Sequence, residues 1–270
     1  LKPKTVLEQL KEKYPDHPIN IIQVKNYMFQ YKKSVYGSTS ISIGELEKWL
    51  DSNSTLPSDD NHAFIIDYMT DDDTEDGLFR FVATSKNLLK LAIQNDLIIH
   101  ADATYKLIWQ GFPVLVIGTS DRDKVFHIIA IAVCSNERTA DFEFLFRSLK
   151  IFIKKLFDFE LNPKVLVADA SHSIKNGFQN VFDTNAVVRM CWAHMRRAVY
   201  KKALVLVKKM NVNKILTDKD AIQISENTNT FEKAYSLFLK KWENEPTFLK
   251  YLHTEWNLKN VNWYEGACPG

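Results

Sequence analysis

The sequence predicts an α/β chain of the α+β kind, a mixed sheet with the element order β-β-β-α-β-α-β-α, and three observations carry that expectation. First, residues 97–135 hold three apolar runs, LIIHADATYKL, GFPVLVIGTSD and VFHIIAIAVCS, separated by short polar turns. That is the pattern of an antiparallel meander. Second, in TADFEFLFRSLKIFIKKLF the residues Phe142, Leu145, Phe146, Leu149, Phe152, Ile153 and Leu156 recur at helical spacing and form one broad apolar face. Third, KVLVADAS and AVVRMCW are short buried-strand runs with the helix SIKNGFQNVF between them.

Upstream of this pattern the chain is helical. TVLEQLKEKY and residues 20–34, with Ile21, Ile22, Val24, Tyr27, Met28 and Tyr31, predict two helices across the turn PDHP. They are either part of a helix-turn-helix DNA reader or a hairpin packed on the main domain. ISIGELEKWL predicts a third helix, AFIIDYM and LFRFVAT a pair of strands, and SKNLLKLAIQND a short helix. TDDDTEDG, at 70–77, lacks the fixed spacing of a calcium loop and reads as a solvated acidic turn. The division that follows is a helical segment over 1–55, a core over 60–209 and an α-helical insertion over 210–270.

The chain has 270 residues of which 46% are hydrophobic, enough for a sizeable core. No run approaches the ~18 apolar residues of a membrane span, so the expectation is a soluble, intracellular protein with no membrane partner. Cys134, Cys191 and Cys268 are too few and too unevenly spread for a disulfide framework. Starting at Leu and stopping at CPG, the chain reads as a piece of a longer protein. The net charge of +2 conceals a block over 189–209 with seven Lys or Arg and no Asp or Glu, a local cation that attracts phosphate.

Two of the buried-strand runs end on aspartate, Asp102 and Asp169. A carboxylate at the mouth of a strand is costly to desolvate unless it is paired, hydrogen-bonded or facing a cation. In an RNase H-like sheet these two strands are neighbours, so the acids converge. Convergent carboxylates suit Mg²⁺ or Mn²⁺, which take oxygen ligands and support in-line phosphoryl transfer.

The strings HADATYKL, GFPVLVIGTSD, VADASHSIKNGF and MCWAHMRR, in this order and spacing, resemble the transposase domain of Mutator-like elements, the MULE domain of the DDE superfamily. The resemblance spans roughly residues 60–270. It implies an RNase H-like fold, an Asp-Asp-Glu triad holding two divalent metals, and cut-and-paste movement of double-stranded DNA between terminal inverted repeats. It also implies work in the nucleus as a homo-oligomer. Asp102 and Asp169 match the first two acids, and Cys191 and His194 the family's Cys-x-x-His pair. The third acid is expected beyond Gly270, downstream of the string NWYEGACPG that contains Glu265.

Cys191 and His194 are half of a zinc set that Cys268, His172 or His253 would complete in space, or else a buried thiol and a helix-start His that orient the acids. The acid-free helix HMRRAVYKKALVLVKKM offers Arg196, Arg197, Lys201, Lys202 and Lys208 as a track for a DNA backbone, or as a solvated cationic face. Trp242, Trp256 and Trp263 either stack on unpaired bases or fill a core. Asp121 and Asp123 fit a hairpin turn, and Asp141 a helix start. The competing class is a domesticated, non-catalytic DNA-binding protein. A nuclease of the same fold is a third reading.

Overall fold

A computed structural model describes residues 2–36, 41–71, 78–105, 107–108, 110–121, 123–182, 186–260 and 262–267. The helices are α1 (Pro3–Lys13), α2 (Ile21–Tyr36), α3 (Ile43–Ser52), α4 (Lys86–Gln94), α5 (Thr139–Phe157), α6 (His172–Val181), α7 (Trp192–Leu206), α8 (Val212–Gln223), α9 (Thr228–Lys241) and α10 (Pro246–Leu252). The strands are β1 (Phe64–Asp71), β2 (Leu78–Thr84), β3 (Ile98–Thr104), β4 (Val114–Ser120), β5 (Phe126–Cys134), β6 (Val165–Ala168) and β7 (Val187–Met190).

The strands form one mixed sheet in the order β1-β2-β5-β4-β3-β6-β7. β3, β4 and β5 are the expected antiparallel meander, and β6 and β7 add to β3 in parallel, giving the RNase H-like core. The expected pair AFIIDYM and LFRFVAT goes further than a hairpin, because β2 pairs with β5 and extends the sheet to seven strands. Its side chains explain the extension: Val82 is buried with the main core and Phe79 with the cluster on the other face. A strand that buries both faces must lie inside a sheet rather than beside it.

One face of the sheet is covered by α4, α5 and α6. Phe142, Leu145, Phe146 and Leu149 of α5 are fully buried there, each worth roughly 1.5–3 kcal/mol relative to an exposed side chain. Asp141 starts α5 as expected, accepting from the Arg138 amide at 2.8 Å. Its other oxygen lies 3.5 Å from Arg80 of β2, which ties the added hairpin to the helix layer. On the opposite face α3 buries Leu46 and Leu50 against Ile65, Phe79, Val114 and Val133. A capping box of Ser42 and Glu45 fixes where α3 begins.

The chain after β7 builds a separate core. Met195, Val199 and Ala203 of α7 pack with Ile215, Phe238, Phe248 and Leu252 of α8–α10. Trp242, Trp256 and Trp263 are buried in this cluster, so they fill a core and are not free to stack on bases. The acid-free helix is shorter than its composition suggests: Val207 is extended (φ −111°, ψ 145°), α7 stops at Leu206, and Lys208 lies past its end. α1 and α2 pack on each other, with Tyr27 and Tyr31 of α2 exposed. Residues 72–77 of the acidic turn and Cys268 lie outside the described residues. Among the described residues no helix is long and apolar enough to cross a membrane.

Candidate functional site

The parallel pairing of β3 with β6 sets the site. Ile98 faces Val165, Ile99 faces Leu166 and His100 faces Val167, a constant offset of 67 between 98 and 165, 99 and 166, 100 and 167. Asp102 and Asp169 differ by the same offset, so continuing the register two residues brings the acids level at the carboxyl ends of adjacent strands. Adjacent strands lie about 4.8 Å apart. Alternation assigns the face: Ile99, Ala101, Leu166 and Ala168 enter the main core, which leaves His100, Asp102, Val167 and Asp169 on the opposite side.

Each carboxylate is held locally. Asp102 Oδ1 accepts from the Ala103 amide at 2.8 Å, and its side chain is 53% exposed. Asp169, the first residue after β6, accepts from the Ser171 amide at 2.8 Å in an Asx turn that leads into α6.

The Cys-x-x-His pair comes to the same place. The Cys191 amide donates to Ala168 O at 2.6 Å, so the start of α7 is tied to the residue preceding Asp169. His194, one turn along, places Nε2 3.7 Å from Asp102 Oδ2. Its Nδ1 is buried without a hydrogen-bond partner. Together with His100, Asp102, Phe126 and Val167, Cys191 and His194 line a hollow of about 270 Å³. Burial holds the His100 pKa below the usual histidine range, and its Nε2 lies 3.0 Å from Ser120 Oγ. Asp169 opens instead onto a neighbouring hollow of about 330 Å³.

Among the described residues no three His, Cys, Asp or Glu are grouped to hold a metal ion. An exposed carboxylate, Asp102, and a half-buried one, Asp169, at the ends of adjacent strands fit a hard cation that keeps most of its shell as water, as Mg²⁺ does. They do not form a closed protein cage. Cys191 and His194 supply two of the four ligands of a structural zinc; His172 and His253 do not complete a group with them. Glu265 turns its carboxylate to Lys124 at 3.3 Å.

The cationic block is divided by its partners. Arg196 is committed to Asp220 of α8 at 2.9 Å, and Arg197 donates to Ala193 O within its own helix. Lys202 lies over the Tyr251 ring, whereas Lys201 and Lys208 are exposed. Arg189 of β7 donates to Glu265 O at 2.8 Å. The sequence reading missed Lys219 entirely. It is 0% exposed, with Nζ 3.4 Å from the Trp192 ring centroid and 5.4 Å from that of Trp263. Nothing in TDKDAIQ, where it sits between Asp218 and Asp220, marks it as buried.

A seven-stranded mixed sheet whose neighbouring strands β3 and β6 run parallel, with Asp102 and Asp169 at their carboxyl ends, is an RNase H-like arrangement. Residues 98–198 match the family model of the MULE transposase domain, which supports a Mutator-like element transposase domain over that stretch. That match suggests a transposase-related function, and the matched family implies DNA as a partner. A comparison with curated proteins found no match.

Proposed function

We propose that the chain is the catalytic part of a DDE-type transposase, which cleaves double-stranded DNA at transposon terminal inverted repeats and joins the freed ends to target DNA. The observation that supports this most is the parallel β3–β6 register, offset by 67, which if continued two residues would level Asp102 with Asp169. In cleavage a water oxygen bonds to phosphorus as the bond to the 3′ oxygen breaks; the leaving oxygen takes the electron pair, and the water's proton passes to solvent. In joining, the 3′-hydroxyl replaces water as the nucleophile.

Asp102 and Asp169 would hold Mg²⁺ or Mn²⁺, whose charge supplies activation of the attacking oxygen and stabilisation of the leaving one. The chain's own contribution is to hold the acids. The Ala103 and Ser171 amides orient one oxygen of each carboxylate, and His194 walls the exposed side of Asp102. A third acid, a Glu downstream of Glu265, completes the set in this reading. The protein acts in the nucleus, as a homo-oligomer on paired element ends.

The test uses the full-length protein on a plasmid bearing its element ends in Mg²⁺ or Mn²⁺. Asp102→Asn and Asp169→Asn each abolish nicking and leave DNA binding intact. Cleavage retained by either variant sinks the assignment. DNA binding without cleavage by the unsubstituted protein would favour the non-catalytic DNA-binding class, and cleavage without joining a nuclease.

A further inference from the structure

We infer that the hollow beside Asp169 seats a phosphodiester of the DNA strand, and that the helical segment after the core helps to build this seat; the inference rests on the DNA-transposase reading above. The hollow, about 330 Å³, draws its walls from three elements. Lys175 comes from α6, Arg189 from β7 and Lys259 from the end of the π-helical turn His253–Lys259 that follows α10. Asn260 and Asn262 complete the far rim, and Asp169 is the one acid among the lining residues.

Three cations converging from separate elements around one carboxylate make a site for an anion. A phosphodiester is the anion that would lie against an acid of a phosphoryl-transfer site. The cations are held in position. Lys259 is braced by Glu255 at 2.8 Å, which occupies one of its three N–H donors. Arg189 is held in place by its contact to Glu265 O at 2.8 Å. The side-chain amides of Asn260 and Asn262 can donate to phosphate or sugar oxygens, contacts that fix strand position without reading sequence.

The backbone of the rim is irregular where this seat needs it. Residues 253–259 run as a π-helix, and Asn262 adopts a left-handed conformation (φ 66°). Both are uncommon and concentrate at functional sites. Here they bring Lys259 and Asn262 back from the second core to the end of β6. The cationic helix α7 is a weaker seat, because Arg196 is already paired with Asp220.

The experiment measures binding of a fluorescein-labelled element-end duplex to the full-length protein by anisotropy, in EDTA, across a salt series. The double variant Lys175→Glu/Lys259→Glu is expected to weaken binding about tenfold or more and to flatten the slope of log K against log salt by about 2. Lys175→Gln/Lys259→Gln should flatten the slope equally, with an unchanged near-ultraviolet circular dichroism spectrum. Lys155→Glu, exposed near the end of α5 and outside the lining of the hollow, should leave binding within about twofold. Wild-type affinity in both double variants, or an equal loss from Lys155→Glu, overturns the proposal. Because no metal is present, the readout is independent of cleavage: activity in Asp102→Asn would remove the catalytic reading and leave this result standing.

Discussion

His194 Nε2 stands 3.7 Å from Asp102 Oδ2, although the two residues are 92 positions apart and belong to different elements, α7 and β3. The contact exists because the Cys191 amide bonds to Ala168 O, which brings the start of α7 over the ends of β3 and β6. On the catalytic reading proposed above, His194 would act as a positioning residue for the Asp102 carboxylate. Residues that orient a ligand in this way typically matter 10–100-fold. His194→Ala should lower the cleavage rate by about that factor, with unchanged DNA affinity and melting temperature, and His194→Gln, which keeps a donor, should recover part of the loss. Wild-type cleavage by His194→Ala would refute the role.

Lys219 predicts a pH dependence of stability. Desolvation pushes its pKa down from 10.5 to about 7, with Asp220 opposing the shift and Arg196 adding to it. Between about 7 and 10.5 the unfolded chain binds a proton at this lysine that the folded chain does not, so stability rises with pH over that window. It is lost as pH falls toward 7. The cation–π contact with Trp192 offsets only about 2 kcal/mol, less than the several kcal/mol of burying an uncompensated ammonium. Lys219→Met should therefore raise the melting temperature at pH 6, by about 5 °C on roughly 2–4 °C per kcal/mol, and the gain should shrink toward pH 10. A lower melting temperature at pH 6 would show that the aromatic contact dominates.

The α5–α6 contact depends on Gly177. A Cβ there would meet Phe142 Cβ at 2.8 Å, the Glu143 amide nitrogen at 2.9 Å and Thr139 O at 3.0 Å. These atoms belong to backbone or to the root of a side chain and cannot swing away. Alanine gains about 1 kcal/mol in helix propensity, whereas overpacking costs about 1–3 kcal/mol, so Gly177→Ala should be net destabilising and shift the urea midpoint downward. An unchanged midpoint would show that the two helices separate at little cost.

Much of the architecture was legible in local patterning. The apolar runs of β3–β7 and the face of α5 follow from periodicity, and the two acids stood out because each closes a buried run. The edges were less legible. That β2 joins β5 depends on Phe79 and Val82 finding cores on opposite faces, and that α7 ends at Leu206 depends on Val207 turning extended. Neither is encoded by spacing alone.

By itself, then, the sequence determined the α/β class, the element order, the placement of Asp102 and Asp169 at strand ends and the resemblance to Mutator-like transposases. These are properties of short segments, where hydrophobic period and strand-end position express a local preference for burial. Only the tertiary structure decided that β3 and β6 pair in parallel in a register offset by 67, that His194 abuts Asp102, that Arg196 pairs with Asp220 and that Lys219 lies against two tryptophans. Each of these pairs residues distant in the chain, and the choice among partners is made by register and packing after the segments have formed.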